Sequence, residues 1–118
     1  MKFGAIDIVT NAARLLIASV DRINGQLQLR KLAYYRVALR LGEDVFEKGK
    51  ISAKKVQHFA QTIQAFQLLA QTHEVDFLRA VATSAMREAS NAKKISKQIL
   101  AQTGIQIDII SGDEEAQL

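Results

Sequence analysis

Three segments of the chain carry polar side chains in arrangements that could bind or hydrolyse a phosphorylated ligand. The first is Asp7-Ile8-Val9-Thr10-Asn11, which ends a short apolar run. A tight turn at a strand end can direct backbone N–H groups and short polar side chains towards a phosphate. A carboxylate such as that of Asp7 can also hold a divalent cation through water. An ordinary turn with a hydrogen-bonded aspartate explains the same residues, and the segment alone favours that simpler interpretation.

The second segment runs from Ala80 to Ala89 and has the sequence AVATSAMREA. Small residues at a strand end let the backbone approach a ligand closely, and the start of a following helix attracts anions. The guanidinium of Arg87 presents a fork of N–H donors that matches phosphate oxygens. On a solvated surface the same arginine would pair with Glu88 or with water, and this segment alone does not separate the two interpretations.

The third segment, from Ile109 to Ala116, has the sequence IISGDEEA and places Asp113, Glu114 and Glu115 shortly after an apolar run. Acidic residues are favoured at a helix start by the electrostatics of the helix terminus, which is the structural explanation. A carboxylate there could also act as a general base that activates water. Open α/β sheets bind their ligands at the carboxyl ends of strands, where these residues lie.

Five apolar runs predict the strands that position these segments. Asn24-Gly25 is a turn signal before the third run, in which Leu27, Leu29, Ala33, Tyr35, Val37 and Leu39 are expected on one face because side chains alternate along a strand. The predicted strands are Phe3–Ile8, Arg14–Val20, Gln26–Arg40, Phe77–Ala82 and Ile105–Ile109.

Apolar residues at three- and four-residue spacing predict two long helices, near Lys54–Thr72 and Ala92–Thr103. Ser52 and Asn91 are the expected N-caps and Gly104 the expected helix end. The stretch Leu41–Lys50 is expected to be a loop, and a further helix is expected to start near Gly112.

Right-handed crossovers then give a mixed five-stranded sheet in the order 3-2-1-4-5. This is the α/β ribonuclease-H-like fold, which the actin, hexokinase and sugar-kinase superfamily shares.

The amino-acid composition limits the structural class and the cellular location that we expect for the protein. The 118 residues suffice for one domain, and 48% hydrophobic with 24% charged residues is typical of a globular chain. The absence of cysteine excludes disulfides and thiolate metal sites. No export signal or run of about 18 apolar residues is present, so we expect a cytoplasmic protein with no membrane partner. The net charge of +4 fits either a solvated surface or a mild attraction for an anionic ligand.

The three segments together resemble the exopolyphosphatase/guanosine pentaphosphate phosphohydrolase family, and the resemblance covers almost the whole chain. The family pattern A-T-S-A-x-R-x-A-x-N is matched at every fixed position from Ala82 to Asn91, and I-x-I-I-S-G-x-E-E-A from Ile107 to Ala116. Weaker matches are Ala5–Ala12 to the pattern A-x-D-x-G-S-N-S, the segment Arg40–Glu43, and Gly49–Ser52 to G-x-[LI]-S.

This resemblance implies release of terminal phosphate from inorganic polyphosphate or guanosine pentaphosphate, with Mg²⁺ and without nucleic acid. By resemblance Glu115 is the catalytic base, Arg87 binds phosphate, Thr10 and Asn11 cradle the phosphate chain, and Asp7 lies near the metal. Family members continue beyond the region matched. Residues 1–118 are therefore expected to be the N-terminal part of a first domain, truncated after its fifth strand and inactive alone.

Two departures from the family pattern suggest a second hypothesis. Val9 replaces the family glycine and Ala12 the second serine, which removes a flexible backbone position and a hydroxyl from the first phosphate site. A non-catalytic module that binds polyphosphate or a guanosine polyphosphate is the alternative. A nuclease is disfavoured, because two-metal nucleases need carboxylates from several strands and Leu78–Ala82 supplies none.

The sequence also predicts an incompletely covered sheet. Strands one, two and five are apolar on both faces, while the two long helices are expected on the same face. We therefore predict that this chain leaves several side chains of one set uncovered. The set is Ile6, Ile8, Leu16, Ala80 and Ile110. Self-association, or further residues of the polypeptide, would cover them.

Overall fold

The computed structural model describes residues 1–110, and the order of its elements follows the changes of apolar period along the sequence. Within this range the elements are β1 (Lys2–Ile8), β2 (Ala12–Ile23), β3 (Gln26–Ala38), α1 (Leu41–Lys48), α2 (Ala53–Thr72), β4 (Phe77–Ala82), α3 (Ser84–Glu88), α4 (Ala92–Thr103) and β5 (Ile107–Ile109). No helix in this range combines the length and the apolar character needed to cross a membrane.

The sheet has the predicted order, β3-β2-β1-β4-β5, with β1 in the centre. The β1–β2 and β2–β3 pairs are antiparallel, whereas β1–β4 and β4–β5 are parallel. This confirms the mixed ribonuclease-H-like sheet. Because β1, β4 and β5 run the same way, their last residues meet at one edge, where Ile8 pairs with Ala82 and Ala82 with Ile109.

The core lies between one face of the sheet and the helices α2 and α4, as expected. Phe59, Ile63 and Phe66 of α2 recur at the spacing of one helix face and are almost fully buried, as are Ile95 and Ile99 of α4. They belong to one cluster with the alternate sheet residues Ile6, Ile8, Leu15 and Ile17. Burying each side chain of this size stabilises the fold by about 1.5–3 kcal/mol. The helix-covered face of the sheet therefore contributes strongly to the stability of the fold.

The helix ends agree only in part with the sequence. The Ser52 hydroxyl accepts a hydrogen bond from the Lys55 N–H at 3.4 Å, and Gly104 ends α4 in the left-handed region with φ 77°. Asn91 occupies the N-cap position of α4, but its side chain makes no capping hydrogen bond to that helix. Its side chain instead donates to the Ile51 carbonyl at 2.9 Å and accepts from the Ile51 N–H at 3.1 Å, which ties the start of α4 to the loop before α2.

The expected loop at Leu41–Lys50 is wrong, because Leu41–Lys48 forms helix α1. Leu41 and Val45, one turn apart, are buried in the core, and Gly49 ends the helix with φ 73°. Two buried hydrophobic side chains in an eight-residue helix leave too short a pattern for the period to be recognised. Gly42 and Gly49 also resemble loop residues, although only Gly49 adopts a left-handed conformation.

The prediction that the apolar residues of the third strand share one face is also wrong. Ala33 pairs with Ile17 on the core face, but Leu29 pairs with Val20, which lies on the opposite face. The register shifts between Ile17 and Ala18, so β3 contains one extra residue. Such a shift reverses the face of every side chain beyond it. Leu29 is accordingly 61% exposed.

The prediction of uncovered sheet residues fails for four of its five side chains. Ile6, Ile8, Ala80 and Ile110 are all buried, while Leu16 is half-buried. The even-numbered residues of β1 face the helices, so the other face carries the half-buried Phe3 and Ala5, and beside them the exposed Tyr34 and Phe77. Self-association stays a prediction, and these are the side chains on which it now depends.

Asp44 of α1 fastens that helix to the start of α2. Its carboxylate accepts a hydrogen bond from the Ser52 N–H at 2.9 Å and lies 3.4 Å from the Lys55 ammonium group. The hydrogen bonds from Ser52, more than the charge of Lys55, hold the pKa of Asp44 below its ordinary value. The ionised carboxylate therefore favours the folded state.

We expect Asp44→Ala to lower the free energy of unfolding by about 1–2 kcal/mol at pH 7, because the N–H of the half-buried Ser52 loses a charged acceptor. Folding lowers the pKa of Asp44, so its stabilisation is present above the unfolded pKa of about 4 and is lost as pH falls through the folded pKa. Urea unfolding at pH 7 and near pH 2 should show the gap between wild type and variant shrinking in acid. Glu47→Ala, on the exposed side of the same helix, is the control, and a gap unchanged in acid would contradict this assignment.

Candidate active site

The turn after β1 is fixed by the start of α1. The N–H groups of Leu39 and Arg40 both donate to the Asn11 carbonyl, at 2.9 and 3.0 Å, and the Gly42 N–H donates to the Thr10 carbonyl at 2.9 Å. Across the turn, the Val9 N–H donates to the Ala12 carbonyl at 2.9 Å. These bonds engage the carbonyl oxygens of Thr10 and Asn11 and hold the turn in one conformation.

Gly42 is required by this contact between α1 and the turn. A Cβ atom at Gly42 would overlap the Thr10 methyl group and lie 3.2 Å from the Phe46 ring. A side chain here would require the Thr10 side chain or α1 to shift. The glycine of the Arg40–Glu43 segment therefore has a packing function, which its sequence context alone does not reveal.

The second predicted segment lies beside the first. The Thr10 and Ser84 hydroxyl groups are 2.8 Å apart, and the Thr83 N–H donates to the Ile8 carbonyl at 3.0 Å. Parallel pairing of β1 with β4 brings these strand ends together. The sequence motifs predict no role for the Ser84 hydroxyl. Its position just after the end of β4 is the signal that could have identified it as a site residue.

Arg87 connects the second segment to the third. One guanidinium nitrogen donates to the Ile110 carbonyl at 2.7 Å, and the Ile110 N–H donates to the Ala82 carbonyl at 3.0 Å. The last described residue is thus held at the edge of the sheet where Thr10 and Asn11 lie. Glu115, the predicted base, lies outside the described residues. The structure brings together Thr10, Asn11 and Arg87, while their roles stay predictions.

Asp7 is engaged by a cation of the protein itself. Its half-buried carboxylate forms a hydrogen-bonded ion pair with Arg14, and this bond raises the pKa of Arg14. Residues 1–110 contain no group of three His, Cys, Asp or Glu side chains placed to hold a metal ion. A cation at Asp7 would have to compete with Arg14, so the described residues do not by themselves fit a magnesium site.

The two departures from the family pattern are accommodated without left-handed backbone. Val9 does not have positive φ; the non-glycine residues of the described range that do are Asn24, Arg40 and Glu74. Ala12 is 1% exposed, so a serine hydroxyl there would need a hydrogen-bond partner. The turn therefore folds with Val9 and Ala12 at these two positions, and any effect of these residues would be on ligand binding.

The main groove on the helix layer is separate from this site. It has a volume of about 880 Å³, lies between α2 and α4, and is lined partly by Lys48, Lys50 and Lys94. None of the predicted site residues lines it.

Comparison with known proteins gives the family. The sequence model of the Ppx/GppA phosphatase family matches residues 19–118. A bifunctional 3-dehydroquinate synthase/phosphatase of Fusobacterium nucleatum is 30% identical over 117 residues, which are 97% of this chain and 18% of that protein. Exopolyphosphatase 1 of Mycobacterium tuberculosis is 27% identical over 118 residues, which are 100% of this chain and 33% of that protein.

Solved structures agree with the sequence matches. The Ppx/GppA family member of Aquifex aeolicus superposes with a TM-score of 0.88 at 26% identity, covering 98% of this chain and 36% of that one. The RuvC structure of Thermus thermophilus superposes over 94% of this chain and 62% of its own with a TM-score of 0.51 at 13% identity, which shows a shared fold alone.

The chain spans about a third of the length of the exopolyphosphatases it matches. The family model nevertheless covers most of the chain, and the fold superposes on a solved structure of that family. The chain belongs to the Ppx/GppA phosphatase family.

Proposed function

We propose that the protein carrying this chain releases terminal phosphate from inorganic polyphosphate or guanosine pentaphosphate, and that this chain supplies the base and one phosphate-binding edge. The observation that carries the proposal is the joining of the motif segments at one sheet edge, through the Thr10–Ser84 contact of 2.8 Å and the Arg87–Ile110 bond of 2.7 Å. Exopolyphosphatases among the relatives support the substrate class.

The proposed chemistry is an in-line attack of water on the terminal phosphorus. Glu115 accepts the proton of the attacking water, while the phosphoanhydride bond to the leaving phosphate breaks. Arg87, the Thr10 hydroxyl and the Asn11 side chain hold phosphate oxygens and compensate their charge. Magnesium, which the family resemblance implies, would supply further charge compensation when bound. Residues 1–118 alone hold too few of these groups, so we expect the isolated chain to be inactive.

A binding module without catalysis is the second candidate, because Val9 and Ala12 remove a flexible backbone position and a hydroxyl from the first phosphate site. Isothermal titration with polyphosphate and with guanosine pentaphosphate, beside a phosphate-release assay with magnesium, separates the two. Release from the full-length protein that stops on chelation of magnesium supports hydrolysis. Binding with no release under any of these conditions supports the module instead.

We expect the double substitution Val9→Gly, Ala12→Ser to tighten phosphate binding about tenfold. Glycine would let the turn rotate its N–H groups towards an anion. Ala12→Ser would place a hydroxyl at a buried position, where a bound phosphate oxygen would be the hydrogen-bond partner that this hydroxyl needs. Titration calorimetry with tripolyphosphate measures the effect. The same two residue changes at Val20 and Ala33, away from the site, are the control. Unchanged or weaker binding would mean that Val9 and Ala12 do not impair this turn.

A further inference from the structure

We propose that Arg40 is a second phosphate-binding arginine, which holds a phosphate group next to the one at Thr10 and Asn11. No motif gives this residue a role in binding. The proposal rests on the proposed function, because polyphosphate and guanosine pentaphosphate both present several linked phosphate groups. It names the residue that would engage a phosphate further along the chain.

The backbone of Arg40 is the first observation. Arg40 precedes α1 with φ 54° and ψ 42°, in the left-handed region that an L-residue other than glycine or asparagine rarely occupies. This conformation costs free energy, so glycine would suit the position better. The surroundings impose it: the Arg40 N–H donates to the Asn11 carbonyl at 3.0 Å, and the Lys55 ammonium group donates to the Arg40 carbonyl at 2.6 Å. Strained residues held in this way are concentrated at functional sites.

The side chain of Arg40 is the second observation. It is exposed, and its guanidinium makes no hydrogen bond or ion pair with residues 1–110. The nearby acids Glu43 and Asp44 are held elsewhere, since both lie within 3.4 Å of the Lys55 ammonium group and Asp44 also accepts from Ser52. Both acids therefore already have a cationic partner in Lys55, and the guanidinium of Arg40 is available to a ligand.

The order of the elements places Arg40 on the opposite side of the turn from Arg87. On one side, Thr10 accepts a hydrogen bond from Gly42, which lies two residues after Arg40. On the other side, Thr10 contacts Ser84, which belongs to the same helix as Arg87. The sheet order β3-β2-β1-β4-β5 then gives a row along one edge: Arg40 after β3, the turn after β1, and Arg87 after β4. A chain of phosphates lying along this row would meet a guanidinium at each end. A guanidinium can bind phosphate through two parallel hydrogen bonds.

The test measures binding of sodium tripolyphosphate to the 118-residue chain by titration calorimetry, together with its melting temperature. Arg40→Gly relieves the left-handed backbone and removes the guanidinium, and we expect about tenfold weaker binding with a melting temperature close to wild type. Arg40→Gln keeps the side-chain length without the charge and should weaken binding similarly. Arg40→Lys should recover part of the affinity.

Two controls separate backbone and charge. Glu74→Gly relieves the left-handed conformation of Glu74, which has φ 57°, at the other end of the sheet. Arg22→Ala removes an exposed arginine from the β2–β3 hairpin. Both should leave binding within about twofold of wild type.

The possible outcomes distinguish failure of this proposal from failure of the proposed function on which it rests. Wild-type affinity in both Arg40→Gly and Arg40→Gln, with Arg87→Lys still weakened, overturns the role of Arg40 and leaves the proposed function standing. A wild-type chain that binds no tripolyphosphate overturns the role of Arg40, whereas a full-length protein that neither binds tripolyphosphate nor releases phosphate overturns the proposed function. If Arg40→Gly does not fold, Arg40→Gln decides whether Arg40 binds phosphate, because glutamine removes the charge without introducing a glycine into the backbone.

Discussion

Replacing Glu115 with glutamine is expected to reduce phosphate release by the full-length protein by a factor of roughly a hundred or more, with substrate binding largely kept. The amide has almost the same shape as the carboxylate but cannot accept a proton from water. Phosphate release from polyphosphate measures turnover, and titration calorimetry measures binding. The expected result is a large loss in turnover number with little change in the dissociation constant.

The reason to expect this of Glu115 is where its segment starts. Ile110 is bonded to Ala82 through its N–H and to Arg87 through its carbonyl, so the chain leaves β5 at the edge that carries Thr10 and Asn11. Asp113→Asn is the matched control, because it changes an acid in the same segment at a position that the family pattern leaves variable. Equal losses in the two variants would indicate that the charge of the segment matters and that no single base is present.

The sheet could be predicted because its signal is local and repeated. Alternation in the strands and the three- and four-residue spacing in α2 and α4 define the elements, and the handedness of crossovers then fixes the order. The common edge for Thr10, Asn11 and Arg87 follows from that order alone. Helix α1 could not be predicted in the same way, because Leu41 and Val45 are its only buried hydrophobic side chains.

The errors on the faces of the sheet have one physical origin. Side chains alternate with a period of two, so a single inserted residue or a wrong choice of parity reverses a whole strand. The register shift in β3 moves Leu29 away from the core face, and the uncovered residues of β1 are odd-numbered where even-numbered ones are predicted. Nothing in the sequence near Leu32 marks the shift, since leucine is an ordinary strand residue.

The contacts within the site depend on three-dimensional register and could not be predicted. Asp7 is expected beside a metal, but its same-face partner across the β1–β2 pair is Arg14, which engages the carboxylate. The fit of Gly42 against Thr10 depends equally on how α1 lies over the turn. Sequence motifs located the edge, whereas pairing between strands determined which side chains meet there.

Replacing Arg87 with lysine is expected to lower phosphate release in the full-length protein about a hundredfold, while the fold stays intact. Lysine keeps the charge and can still donate to the Ile110 carbonyl, but it loses the planar fork that binds two phosphate oxygens. The measurements are phosphate release, tripolyphosphate affinity and melting temperature. Arg79→Lys, on the exposed side of β4, is the control and should leave all three close to wild type.

Arg87→Ala separates the proposed phosphate contact of this side chain from its bond to the Ile110 carbonyl. The alanine variant loses both the phosphate fork and the bond to Ile110, so it should fall below the lysine variant in melting temperature as well as in turnover. If Arg87→Lys stays active while Arg87→Ala does not, the arginine acts by holding Ile110, and through it the segment that carries Glu115. In that case Arg87 is a positioning residue, and the phosphate must be bound by Thr10, Asn11 and other groups at this edge.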